Sequence, residues 1–276
     1  MIILINYGDG KFKKAQNLNT DTAYKKGKVD KVISYSSTDL DQDFLKKNES
    51  ILTQKRGAGY WLWKPYLIKK TMENMQEGDY LVYSDSGIYF IDSVKYLIAD
   101  FEISKQDIMP FSTGKHIEKN WTKRDIFVEM NCDAEYFWNS RQLWAGFILF
   151  KVTEKSKAFV QEWLDWCENE HLLTDEKSIN PNLDGYIETR HDQSIYSLLI
   201  KKYRYDDFRD PSQHGVFRKE RFSKESLERS NYPTIIDAHR QGTSGSIVQI
   251  KLIRIRRWLH NCFNARKIIP YNEQFR

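Results

Sequence analysis

Along this chain the spacing of apolar positions switches repeatedly between a period of two and a period near 3.6. Residues 2–6 (IILIN) and 31–35 are short runs of apolar and β-branched side chains and read as strands, and the stretch 14–26 between them reads as a helix closed by Gly27. Residues 80–83 (YLVY), introduced by a turn at Gly78 and Asp79, form a further buried strand. Pro65 fits the first turn of a helix running towards Met75, because a proline there loses no intrahelical hydrogen bond. A helix is expected at 93–101, a short strand at 107–111, a polar loop over 112–123, a strong strand at 143–151 and a helix at 154–170 carrying Phe159, Trp163 and Trp166. Residues 178–185 and 209–231 read as long polar connections, of the kind that form substrate lids or stay disordered. Residues 235–240 read as a last strand leading into a Gly-rich turn at 241–245. This alternation predicts an α/β fold, a mixed sheet flanked by helices in a single domain over residues 1–245, followed by a separate segment 246–276.

Composition narrows the picture. With 276 residues, 40% hydrophobic and 14% aromatic, the chain has the makings of one globular core. Cys132, Cys167 and Cys262 are far apart, lack metal-ligand spacing and read as reduced thiols. The apolar run at the N-terminus is too short for a signal peptide, and no run approaches the roughly 20 residues of a spanning helix, so a cytoplasmic protein is expected. Charge is concentrated at the other end. Residues 246–276 carry seven Lys or Arg against Glu273 alone, a net +6, which leaves residues 1–245 at −1 of the chain's +5. On a helix, Val248, Leu252, Ile255, Leu259 and Phe263 share a face from which Lys251, Arg254 and Arg257 point away. That is the pattern of a basic amphipathic helix lying on an anionic membrane, and equally of a helix docked on the core with a solvated basic side. A nucleic-acid partner is not expected, since the body of the chain is close to neutral.

The chemistry concentrates after the YLVY strand, where Asp85, Ser86 and Gly87 follow. Ligands of open α/β sheets bind beyond the carboxyl ends of the strands, and Gly87 lets backbone approach a phosphate or sugar. Arg56 and Lys64 bracket an aromatic segment, RGAGYWLWKP, in which Tyr60, Trp61 and Trp63 either stack on a base or sugar or pack in the core. This segment together with GDYLVYSDSG resembles bacterial glycosyltransferases of the GT-A type that build capsule or lipopolysaccharide, over roughly residues 1–240. The resemblance implies that Asp85 contacts a nucleotide-sugar. In that family the strand ends in Asp-x-Asp, which holds the nucleotide and a divalent ion such as Mn²⁺ or Mg²⁺; here Gly87 stands in the second position. The resemblance would complete a metal site with His239, whereas without a metal Lys64, Arg56 or Arg240 would have to neutralise the leaving diphosphate.

A second cluster, Arg190-His191-Asp192-Gln193-Ser194, opens a helix. It is similar to the Asp-Gln signature of retaining transferases related to glycogenin and the lipooligosaccharide α-galactosyltransferases. There the pair lies beside the donor sugar, which would make Asp192 and Gln193 catalytic; a developing oxocarbenium ion favours such oxygens nearby. A competing role for Asp192 is helix capping, with Thr189 as N-cap and Asp192 at the third helical position. Trp144-Ala145-Gly146 is similar to the family's Asn-Ala-Gly segment, with Trp144 in place of Asn. The function expected is transfer of a hexose from UDP-galactose or UDP-glucose to a glycan or glycolipid precursor, at the inner face of the membrane. The alternative is a non-catalytic glycan-binding or membrane-adaptor domain on the same fold.

Overall fold

The computed structural model describes residues 1–238. His239, Arg240, the turn expected at 241–245, Cys262 and the basic segment 246–276 lie outside the described residues, as does the boundary drawn at 245. A five-stranded mixed sheet runs in the order β2 (Lys31–Tyr35), β1 (Ile2–Tyr7), β3 (Tyr80–Ser84), β6 (Arg141–Lys151), β5 (Ile108–Ile117). β1 pairs in parallel with both β2 and β3, while β6 runs antiparallel to β3 and β5. A two-stranded ribbon, β4 (Tyr89–Phe90) with β7 (Ile236–Asp237), lies outside this sheet.

The central strands read as continuous apolar runs because both faces of the sheet are covered. Alternate residues divide between two cores. Ile3, Ile5, Leu81, Tyr83, Ile148 and Phe150 face one, with helices Trp63–Met72, Glu154–Cys167 and Asp192–Lys202. Ile2, Leu4, Val82, Phe147 and Leu149 face the other, with Phe90, Leu97 and Phe101. The predicted α/β architecture is therefore present, as a mixed sheet between helical layers. Among the described residues no helix is long and apolar enough to cross a membrane.

Several local expectations are corrected. The first helix, Lys13–Thr22, passes into a π turn over Ala23–Gly27, and the left-handed residue that ends it is Lys28 (φ 57°) rather than Gly27. Gly27 is needed for another reason: a Cβ there would stand 2.9 Å from Cδ1 of Phe90. Residues 112–123 are not a loop, because β5 continues to Ile117 and a helical turn follows at Glu118–Trp121; Thr113, Glu118, Thr122 and Lys123 bond inside the protein, which composition cannot distinguish from solvation. The stretch 209–231 carries helices Gln213–Phe217 and Lys224–Glu228, capped by Ser212 and Ser223. The 154–170 helix stops at Cys167.

Candidate active site at the end of strand β3

The parallel strands deliver their ends to a shared polar cluster. Asn6, at the end of β1, donates to Oδ1 of Asn19 (2.8 Å), and Asn19 in turn donates to the Ser84 hydroxyl (2.9 Å) and the Ile88 carbonyl (2.8 Å). Asn19 is fully buried, so these bonds hold the turn 85–88 against the first helix. The Ile88 amide closes that turn on the Asp85 carbonyl at 3.0 Å. Across the sheet the Asp85 amide donates to the Gly146 carbonyl at 2.8 Å, and the Tyr83 hydroxyl donates to Oδ1 of Asp85 at 2.7 Å. Gly146 is there for space. A Cβ on it would lie 2.7 Å from Oδ2 of Asp85 and 2.4 Å from Nε1 of Trp144. Asp85, Ser86 and Gly87 are partly exposed, which leaves this turn open to a ligand.

Behind the turn lies a buried ion pair. The Lys64 ammonium is 2.5 Å from Oδ2 of Asp192, with both side chains only 4% exposed. The same ammonium lies 5.2 Å from the centre of the Tyr83 ring. Burial opposes the charge on Lys64, but the carboxylates of Asp192 and Asp85 outweigh it and its pKa is raised. For Asp192 burial is the largest influence, Lys64 offsets part of it, and the pKa is pushed up to about 6. Lys64 thus bonds Asp192 and also feels the charge of Asp85.

The capping expected of Asp192 takes another form. It is the first residue of its helix, after His191 (φ 52°, ψ −123°) in the cap position; its Oδ2 accepts from Lys64, and the Thr189 hydroxyl has no hydrogen-bond partner among the described residues. Gln193 is held at both ends: its Oε1 accepts from the Ala145 amide (3.2 Å) and its Nε2 donates to Oε1 of Gln142 (2.8 Å). Gln142 donates onward to Glu118 (3.1 Å), a fully buried carboxylate that also receives Thr122, Ser197 and Lys201. Asn19, Tyr83, Gln142 and Glu118 were not expected at the site: Tyr83 and Gln142 lie within or beside apolar strand runs, and Asn19 and Glu118 lie in polar stretches that read as solvated.

The aromatic segment folds unexpectedly. Gly57 through Trp61 all have positive φ, between 50° and 89°, forming a left-handed turn ahead of the Trp63–Met72 helix. Non-glycine residues pay about 1–2 kcal/mol each for that conformation, so contacts must hold it. The two glycines permit the tight approach: a Cβ at Gly57 would lie 2.4 Å from the Trp61 ring, and one at Gly59 2.7 Å from Cα of Leu52. Trp61 stacks on His191 at 5.5 Å between ring centres, and Tyr60 tilts against it at 4.9 Å. Trp63 is buried in the core, stacked on Tyr7 at 3.9 Å. Arg56 pairs with Asp175 (2.9 Å) and Glu188 (3.0 Å), and the Tyr60 hydroxyl joins Asp175 at 3.1 Å. The structure therefore brings Asp85, Ser86, Gly87, Lys64, Asp192 and Gln193 together. Arg56 and Tyr60 sit on the outer side of His191.

Among the described residues no group of three or more His, Cys, Asp or Glu side chains is placed to hold a metal ion. Asp85 brings one carboxylate, already bonded at Oδ1, so the described residues alone do not fit a divalent cation. Surface grooves lined by Arg124, Trp138 and Leu183, and by residues 175–182 with Tyr186, include none of the clustered residues.

No protein-family profile and no curated protein matches the chain. Solved structures similar to it include mouse xyloside xylosyltransferase 1 in its apo form, with 9% identity, 88% of this chain and 98% of that one covered, and a TM-score of 0.46. Another is the galactosyltransferase LgtC in complex with donor and acceptor sugar analogues, with 12% identity, coverage of 93% and 96%, and a TM-score of 0.43. A third is a glycosyltransferase involved in glycosylation of the major capsid of PBCV-1, with 8% identity, coverage of 92% and 98%, and a TM-score of 0.44.

Proposed function

We propose that this protein is a glycosyltransferase that moves a hexose, galactose or glucose, from a UDP-sugar to a glycan or glycolipid precursor. The observation that carries this reading is the open turn Asp85–Gly87 at the end of a parallel strand, backed by the buried Lys64–Asp192 pair and flanked by a fixed Gln193 amide. Asp85 and the turn receive the nucleotide-sugar. Gln193, partly exposed and immobilised at both ends, presents its remaining amide valences to the sugar near the anomeric carbon. Asp192 is too deeply buried to touch a sugar here, so it acts from behind, lending negative charge to the site where positive charge develops. An acceptor that is lipid-linked and held at an anionic membrane agrees with the basic segment 246–276.

Calorimetric titration with UDP, UDP-galactose, UDP-glucose and a GDP-sugar, in Mn²⁺ and then in EDTA, tests the reading. UDP-sugars should bind to the wild type and lose affinity in Asp85→Asn. Binding that requires Mn²⁺ would assign the diphosphate to an ion held by Asp85 and His239; binding that persists in EDTA would assign it to Arg and Lys side chains. Absence of binding in both conditions would turn the assignment towards a non-catalytic adaptor.

A further inference from the structure

Beyond the Lys64–Asp192 pair, near Gln193, the protein gathers basic side chains with few matching acids among the described residues. The Arg190 guanidinium carbon lies over the Trp121 ring, 4.2 Å from its centre, and the His116 ring meets the same indole edge-on at 4.8 Å. Arg221 is packed into this corner by Gly114, where an added Cβ would stand 3.1 Å from Cβ of Arg221 and 3.0 Å from the Phe222 ring. Lys115 follows on the strand, and Nε of Arg141 donates to the Gly114 carbonyl at 3.3 Å. Acids are scarce. Glu188, which acts on Arg190, is already bonded to Arg56 at 3.0 Å, and Glu220 reaches Arg221 only at 3.9 Å.

Two buried polar atoms in this corner, Nε of Arg190 and Nδ1 of His116, have no hydrogen-bond partner among the described residues. A buried donor such as the Nε–H of Arg190 without an acceptor costs about 1–3 kcal/mol, so a ligand that supplies anionic oxygens would relieve a standing cost. We propose that Arg190, Arg221 and Lys115, converging on His116, form a binding site for a phosphate or diphosphate group. The guanidinium held over the indole offers a fork of N–H donors, the geometry that matches phosphate oxygens. Trp121 ties this site to the sugar-binding corner, since its carbonyl accepts from Gln142 (3.2 Å) and Ser194 (2.7 Å), and Gln142 holds Gln193. Two sources share this chemistry: the diphosphate of a nucleotide donor, and a phosphate carried by an acceptor. Burial, followed by Arg190, Lys115 and Arg221, holds His116 down at about 4, so an anion bound among them must raise that value.

Inorganic pyrophosphate is the probe, with the full chain observed by the ring resonances of His116 and by calorimetry. Pyrophosphate should move the His116 signals and shift their titration upward, and Arg190→Gln should weaken its binding by about tenfold or more, as for a lost charge-assisted hydrogen bond. Arg221→Gln alters a more exposed side chain and should do the same if Arg190→Gln fails to fold. UDP and farnesyl phosphate are then compared in the Arg221→Gln protein. Loss of affinity for UDP assigns the site to the donor, and loss for farnesyl phosphate alone assigns it to the acceptor. Unmoved His116 signals, or equal pyrophosphate affinity in all three proteins, overturns the site. Pyrophosphate binding without any UDP-sugar binding would leave the anion site standing and sink the transferase reading.

Discussion

The Lys64 ammonium is the residue on which the site's electrostatics turn, because among the described residues it is the one cation bonded to the buried Asp192, and it also feels Asp85. Replacing it with Met, which keeps the volume, strands Asp192 in an apolar setting; such a loss typically costs about 3–5 kcal/mol. The pH dependence follows from Asp192. Its native value of about 6 lies above the ordinary carboxylate value, so the native protein holds an extra proton in between. This group's own contribution to stability is therefore present in full below roughly pH 4 and is lost as pH rises through about 6. Lys64, also raised, contributes stability that persists through neutrality and is lost only in the alkaline range. Lys64→Met should accordingly destabilise strongly at pH 7.5 and less at pH 5, where Asp192 is already protonated. Urea unfolding at the two values measures this, and an equal loss at both would show that Asp192 does not titrate in this window. Turnover that depends on ionised Asp192 should fall in parallel as the pH drops through about 6.

At the scale of elements, β6 and the Asp192–Lys202 helix are joined by a relay of buried polar groups, from Lys201 and Glu118 through Gln142 to Gln193. Gln142 touches no substrate in the proposed reaction; it sets the direction of the Gln193 amide. Gln142→Leu should lower kcat by at least about tenfold, the scale of one misdirected hydrogen bond, with KM for the UDP-sugar little changed. Gln142→Glu, which keeps an acceptor for Gln193, should restore part of the rate if its carboxyl is protonated against Glu118. A fall confined to stability, with kcat intact in the folded fraction, would reduce Gln142 to a packing role. The relay was invisible in the sequence because its members are 24 residues or more apart in each link from Glu118 to Gln142 to Gln193, and Glu118 lies in a polar stretch that reads as solvated loop. The strands were legible for the opposite reason. Their apolar runs are local, bounded by turns, and Asp85 could be placed at a strand end by counting from Tyr80. The left-handed turn at 57–61 was only hinted at by its two glycines, since Ala58, Tyr60 and Trp61 adopt positive φ against their preference and are held there by His191 and its neighbours.

For the molecule as a whole, charge is partitioned so that nearly neutral residues 1–245 are followed by a segment of net +6. A proposed enzyme acting on lipid-linked acceptors gains from such a segment, because each Lys or Arg near an anionic leaflet contributes about 1 kcal/mol and the attraction fades within a Debye length of about 8 Å at physiological salt. The partition makes a prediction separable from catalysis. Deleting 246–276 should abolish co-sedimentation with phosphatidylserine-containing vesicles, and 0.5 M salt should release much of the intact protein, while UDP-sugar binding by the shortened chain is retained. Neutral vesicles serve as the control, since an apolar face acting alone would hold to both kinds. Equal pelleting of the shortened and full chains on anionic vesicles would place the membrane contact elsewhere, and the basic side of 246–276 would then be a solvated face of a docked helix.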